Sequence, residues 1–190
     1  GDASDSSGNG YDGTLLGGAR VDGGTLVLDG IRDAVSVPRI GGDEALFSAF
    51  TISLWMRPSV DVSSLDYSGG MNTDGWAAGA IHMKFRNGFA NVGINGLDGG
   101  DLQGTSIGVT NAWNHMAVTV SETEMALYLN GALEDSIVLE APTEAILGGA
   151  SLGAWNNADA LQRELTGQMD NVVIYDHALS AGEILFLADE

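Results

Sequence analysis

The stretch "DSSGNGYDGTL", Asp5 to Leu15, packs oxygen donors between glycines. A hard cation such as calcium takes about 6–8 oxygens from carboxylates, amides and backbone carbonyls. The same residues are turn formers whose side chains bond their own backbone. Asp170, in "QMDNVVIYD", poses a related question. It alternates with Val172 and Ile174 and so shares a side with apolar residues. A buried, unpaired carboxylate is costly. A cation or a set of backbone N–H donors would relieve that cost. The residues leave both readings open: a clamp at the N-terminus, or ordinary turn chemistry.

A second chemistry is stacking. Trp76 in "TDGWAAG" and Trp155 in "GAWNNAD" sit among glycine, Asn and Asp, the latter beside Asn156 and Asn157. A sugar ring stacks on an aromatic plate while its hydroxyls bond to amides and acids. The competing reading makes each tryptophan the anchor of its own loop. Trp55 lies opposite Ile52, Leu54 and Met56 in its strand, so it faces outward, open or under a covering loop. Arg57, His82, Lys84 and Arg86 occupy outward faces of two strands. In one sheet they would form a basic patch suited to an anionic glycan. Otherwise they are solvated strand faces with cross-strand charge pairs.

The elements that must position these groups are mostly strands. Period-two alternation runs through "TLVLDG", "DAVSVP", "FTISLWMRP", "AIHMKFR", "HMAVTV", "MALYLNG", "DSIVLE", "ASLGAW" and "QMDNVVIYD". Asn87-Gly88, Asn95-Gly96 and Asn130-Gly131 mark turns, and the last, between two alternating runs, signals a hairpin. One segment reads as a helix: "LSAGEILFLADE", with Ser180 as N-cap and Glu183 completing a capping box. The stretch from Ser63 to Gly79 reads as a long loop of the functional kind.

The chain has 190 residues, enough for a single domain over residues 1–190 with one core. It carries 26 acidic residues against 7 Lys and Arg, a net charge of -19. That excludes nucleic acid, which needs clustered positive charge, and an anionic membrane surface. No cysteine is present, which excludes a disulfide scaffold, a thiolate metal site and a cysteine nucleophile. No apolar run is long enough for membrane insertion, and none reads as a signal peptide.

In order along the chain, "DSSGNGYDGTL", "LVLDGIRDAVSVP", "FTISLWMRP", "WNHMAVTV", "MALYLNGAL" and "GQMDNVVIYDHALSAGEI" resemble the laminin-G-like group of the concanavalin A-like lectin/glucanase superfamily. The resemblance implies an all-β jelly roll, a two-sheet antiparallel sandwich with one curved sheet, followed by the short C-terminal helix. It also implies a structural calcium (Ca2+) held by Asp5, Asn9 and Asp170, tying the N-terminal segment to the last strand.

Hydrolases of that superfamily carry an E-x-D-x-x-E strand whose alternating acids share a face. Glu122 and Glu124 fall in a turn with no third acid. Glu134 and Asp135 are adjacent and would point to opposite faces. The lyase branch uses His, Tyr, Arg and Gln; His82 and Arg86 begin such a set, but no tyrosine-bearing strand completes it. The expectation is therefore a non-catalytic recognition domain of a secreted or cell-surface protein, part of a larger multidomain chain, that binds carbohydrate or another extracellular polymer. A structural or adhesive spacer is the alternative, and an unusual glycosidase the third.

Overall fold

A computed structural model describes residues 1–189. Two seven-stranded antiparallel sheets face each other. The first runs, edge to edge, β1 (Thr14–Leu16), β4 (Ala34–Val37), β13 (Ala150–Leu152), β6 (Ser68–Thr73), β7 (Ile81–Arg86), β8 (Phe89–Ile94) and β9 (Asp101–Ile107). The second runs β12 (Ala132–Val138), β11 (Glu124–Leu129), β10 (Asn114–Val120), β5 (Phe50–Pro58), β16 (Thr166–Tyr175), β3 (Thr25–Asp29) and β2 (Arg20–Asp22). A small hairpin, β14 (Trp155–Asn157) with β15 (Ala160–Gln162), pairs only with itself and belongs to neither sheet. The fold is the expected jelly-roll sandwich.

Alternation builds the core. Phe50, Ile52, Leu54 and Met56 of β5 point inward and are fully buried. Ile81, Met83 and Phe85 of β7 meet them from the other sheet, with Met71, Val92, Met116, Val118 and Leu127 filling the layer between. Fully burying one such side chain contributes roughly 1.5–3 kcal/mol. Asn130-Gly131 joins β11 to β12 as expected, both residues at positive φ. The helix α1 (Ala181–Ala188) starts at Ser180, whose side chain accepts from the Glu183 N–H, with Glu183 returning the bond as a capping box. Ile184 packs on Ala117, Ala126 and Tyr128, covering part of the second sheet's outer face.

Three departures from the alternation pattern have physical causes. Ser68 to Thr73, expected within a long loop, forms β6 near the middle of the first sheet. Its sequence, "SGGMNT", has few β-formers, and burial on both faces overrides propensity. At the end of the sandwich, the register of β11 and β12 shifts at Glu134, where Leu127 pairs with Asp135 and Tyr128 with Leu133. This bulge cancels the expected opposition of Glu134 and Asp135. Both carboxylates instead reach the edge strand β9 of the other sheet. The Asp135 carboxylate accepts from Gln103 N–H at 3.1 Å, and Glu134 accepts from the backbone N–H groups of Thr105 (2.7 Å) and Ser106 (2.8 Å).

The third departure concerns Asp170. The register of β16 on β5 shifts between Asp170, which pairs with Trp55, and Val173, which pairs with Ser53. Asn171 adopts φ 43° at this bulge. The extra residue flips the parity, so Asp170 lies on the outer face with Trp55, while Ile174 pairs with inward Ile52. The expectation that Asp170 shares a side with Val172 and Ile174 is corrected here.

Partial burial works against ionised Glu134, but hydrogen bonds from Ser106 and Thr105 outweigh it and hold its carboxyl below the ordinary value. A lowered carboxylate stabilises the fold above its unfolded pKa, and that contribution is lost as pH falls through the folded value. Glu134→Ala is expected to lower the melting temperature by about 2–4 °C at neutral pH, the equivalent of roughly 1 kcal/mol in a domain this size. The deficit shrinks on acidification. Calorimetry at neutral and acidic pH checks both.

Candidate functional site

On the outer face of the first sheet, cross-strand pairing aligns polar residues. Ser36, Ser151, Asn72, His82, Gly93 and Asp101 pair in succession from β4 to β9. The next rank holds Gly69, Lys84, Asn91 and Gln103. Alternation that turns Ile81, Met83 and Phe85 inward forces His82, Lys84 and Arg86 onto this face.

The β14–β15 hairpin lies across part of the face. Gly69 permits this, since a Cβ there would sit 2.9 Å from the Ala154 backbone. Gly69 N–H donates to Arg163 C=O (2.7 Å), and the Asn72 side-chain amide donates to Ala154 C=O (3.0 Å). Asp74 fastens the other side, its carboxylate accepting from Ser151 Oγ (2.8 Å) and Asn156 Nδ2 (3.2 Å). Burial pushes the Asp74 carboxyl up, against those two bonds.

Beside the hairpin opens a cleft of about 430 Å³. Trp76, His82 and Lys84 line it with Tyr67, Arg86 and Arg163, and Asp101 closes it on the β9 side. Gly93 leaves the floor open: a Cβ there would sit 2.7 Å from Asp101 Oδ1. The aromatic groups interlock. The Trp76 ring lies 4.8 Å from His82 at 32°, and 5.4 Å from Trp155 at 63°. The Arg163 guanidinium sits 4.5 Å over the Tyr67 ring and 4.4 Å over Trp155, with Arg86 5.5 Å from Tyr67. Trp155 is buried, and its indole N–H donates to Gly75 C=O at 3.0 Å. Trp76 remains 62% exposed, so its plate is available to a ligand.

The two tryptophans differ: Trp155 anchors the hairpin, and Trp76 presents an exposed face. Asn156 serves the Asp74 tie, and Asn157 pairs with Ala160 inside the hairpin. Neither asparagine lines the cleft. Of the basic set, His82, Lys84 and Arg86 come together on β7. Arg57 does not join them, because β5 belongs to the other sheet, where Arg57 bonds to Asn111 C=O and Gln168. Trp55 is likewise on that second sheet, packed 5.2 Å from His115. The single basic patch spanning both strands is thus corrected to a cluster on β7, completed by Arg163.

Sequence reasoning missed Tyr67, Asp101 and Arg163. Tyr67 lies in the cleft beneath Arg86 and Arg163, just before β6, the strand hidden in the apparent loop. Arg163 was findable as one of only 7 cationic residues in the chain.

Burial, then the nearby charges of Lys84 and Arg163, lower the His82 pKa to about 4. Burial alone lowers His115 to about 4, in a 2.8 Å hydrogen bond with Ser53 Oγ. Lys84 is lowered to about 8 by burial, with Asp101 opposing and Arg163 and Arg86 reinforcing.

The N-terminal segment is ordered by its own bonds. The Asp5 carboxylate accepts from Ser7 N–H (2.9 Å), Ser7 Oγ (2.8 Å) and Tyr11 N–H (3.0 Å), while Asn9 donates to Ser7 Oγ. Ala3 packs against the core, and Tyr11 Oη accepts from Gly41 N–H. Asp170 accepts from Thr25 Oγ1 (3.3 Å) and Asn171 N–H (2.8 Å) on the second sheet. Asp5, Asn9 and Asp170 therefore make separate local bonds. Among the described residues no group of three His, Asp or Glu side chains could hold a metal ion. Asx-turn chemistry accounts for the bonds of Asp5.

A sequence model of the concanavalin A-like lectin/glucanases superfamily, Laminin_G_3, matches residues 29–185. No curated protein matches the chain. Among solved structures, the receptor binding domain of botulinum neurotoxin C/D mosaic serotype is similar at 20% identity, TM-score 0.75, over 98% of this chain and 48% of that one. The botulinum neurotoxin serotype D ligand binding domain, in complex with N-acetylneuraminic acid, is similar at 20% identity, TM-score 0.74, over 98% of this chain and 47% of that one. The chain spans about half the length of these structures, and the likeness is one of fold.

Chelation with EDTA separates turn chemistry from a held calcium: the thermal midpoint stays unchanged for the turn alone and falls by several degrees for a bound cation. A histidine lowered on folding stabilises the native state above its unfolded pKa, and loses that contribution as pH falls. For His115 the window runs from about 6.5 to about 4. In His115→Asn, stability is expected to fall less steeply across this window than in the parent chain, as read by urea unfolding at successive pH values.

Proposed function

The chain belongs to the concanavalin A-like lectin/glucanase superfamily, and from that premise we propose that it is a non-catalytic carbohydrate-recognition domain of an extracellular protein. The observation that carries this reading is the Trp76 plate, exposed yet braced by His82 and Trp155. Holding an aromatic face in place before the ligand arrives lowers the ordering cost of binding. Around it, Asn95, Asp101 and Arg86 offer hydrogen-bonding groups to sugar hydroxyls. The fold relative in complex with N-acetylneuraminic acid supports a glycan ligand by analogy.

Binding rather than hydrolysis is supported by the carboxylates. Glycosidases use two, about 5–5.5 Å apart for retention or about 6.5–9.5 Å for inversion. Asp101 is the one carboxylate among the cleft's lining residues, and it pairs with Arg86 at 3.7 Å.

A glycan array probed with the parent chain and with Trp76→Ala tests the reading. The parent is expected to give signal, and the variant at least 10-fold less at an unchanged melting temperature. Silence of the parent across neutral and acidic glycans would favour the adhesive spacer instead.

A further inference from the structure

Lys84 occupies an unusual place for a charge. Its residue is 5% exposed, and its ammonium makes one long contact, 3.5 Å to His82 C=O. Among the described residues neither Lys84 nor Arg163 forms an ion pair with a carboxylate. Arg86 has Asp101, at 3.7 Å. Three of the chain's 7 cationic residues thus converge on a cleft containing one carboxylate, in a protein with 26 acids to spare. Removing a charge from water without a partner is costly. An anion in the cleft would supply that partner.

The polar face around Lys84 has further unmet demand. Both ring nitrogens of His82, with Asn91 Oδ1 and Asn72 Oδ1 on the neighbouring strands, are buried without hydrogen-bond partners. Asn72 pairs with His82 and Asn91 with Lys84, so these atoms share the outer face of β7 and its neighbours β6 and β8. Most buried polar groups in folded proteins are paired, so such a cluster calls for bound water or ligand. The Arg163 and Arg86 guanidiniums, held over Tyr67, are suited to planar or tetrahedral oxyanions.

We propose that the cleft selects an acidic saccharide, seating its anionic group against Lys84, Arg86 and Arg163 while the adjoining sugar ring lies on Trp76. This rests on the carbohydrate-recognition reading and adds the ligand's charge. The remaining titratable groups lining the cleft are Tyr67, His82 and Asp101, of which Asp101 alone opposes an anion. Uronate and sulfate esters share the required chemistry.

Titration calorimetry at about 0.15 M salt, where a Debye length of about 8 Å screens the distant acidic surface, uses three probes: tri-galacturonate, a sulfated trisaccharide and uncharged maltotriose. At least one acidic probe is expected to bind 10-fold or more tightly than maltotriose. Lys84→Met and Arg163→Gln are each expected to weaken it at least 10-fold. Arg57→Gln, on the opposite sheet, serves as control and is expected to have no effect. Preference for the galacturonate or the sulfated probe identifies the source of the anionic group, and either supports the proposal. Maltotriose binding as tightly as both acidic probes overturns it while leaving carbohydrate recognition standing. Equal losses in Arg57→Gln and Lys84→Met overturn it as non-specific attraction. Binding of none of the three, together with a silent glycan array, removes both readings.

Discussion

The seat of the β14–β15 hairpin on the first sheet is the constraint on which the site depends. A strand needs its outer face either wetted or covered, and here part of a polar face is covered. The cover holds because Gly69 lets two backbones approach and because Asp74 spans from Ser151 to Asn156. Trp155 then has a fixed position, and Arg163, which follows the hairpin, is brought over Tyr67. Without that seat, Trp76 would lose its edge contact and Lys84 its cover. The cleft is thus a product of the hairpin and β7 together, and neither makes it alone.

The sandwich was legible because its strongest signal, alternation of large apolar residues, is also its main source of stability. "FTISLWMRP" and "AIHMKFR" each assigned one face to the core and one outward; the core faces hold, while Thr51, Ser53, His82 and Lys84 on the outward faces are buried by covering segments. The helix was legible from Ser180 and Glu183, since a capping box is local chemistry. What could not be read was parity beyond a bulge. One extra residue at Glu134, and another at Asn171, reversed the side on which their neighbours point. Strand β6 was hidden for a different reason: its residues are chosen for close packing against a hairpin, and small residues do not announce a strand.

The site was half legible. Alternation placed His82, Lys84 and Arg86 on one outer face, and composition marked Trp76 and Trp155. Which strands share a sheet is a long-range matter, so Arg57 and Trp55 could not be separated from that group beforehand. Tyr67 and Arg163 lie far apart in sequence and meet through stacking of a guanidinium on a ring, which leaves no periodic trace.

The carboxylates of Glu134 and Asp135 also bear on how this molecule behaves among its own kind. An edge strand exposes unpaired backbone donors that can template pairing with another chain. On β9 the donors of Gln103, Thr105 and Ser106 are already taken, from the opposite layer and by negatively charged groups. A second copy approaching that border would meet these three amides already bonded, beside two carboxylates. The bulge at Glu134 therefore closes three donors of that border to strand pairing.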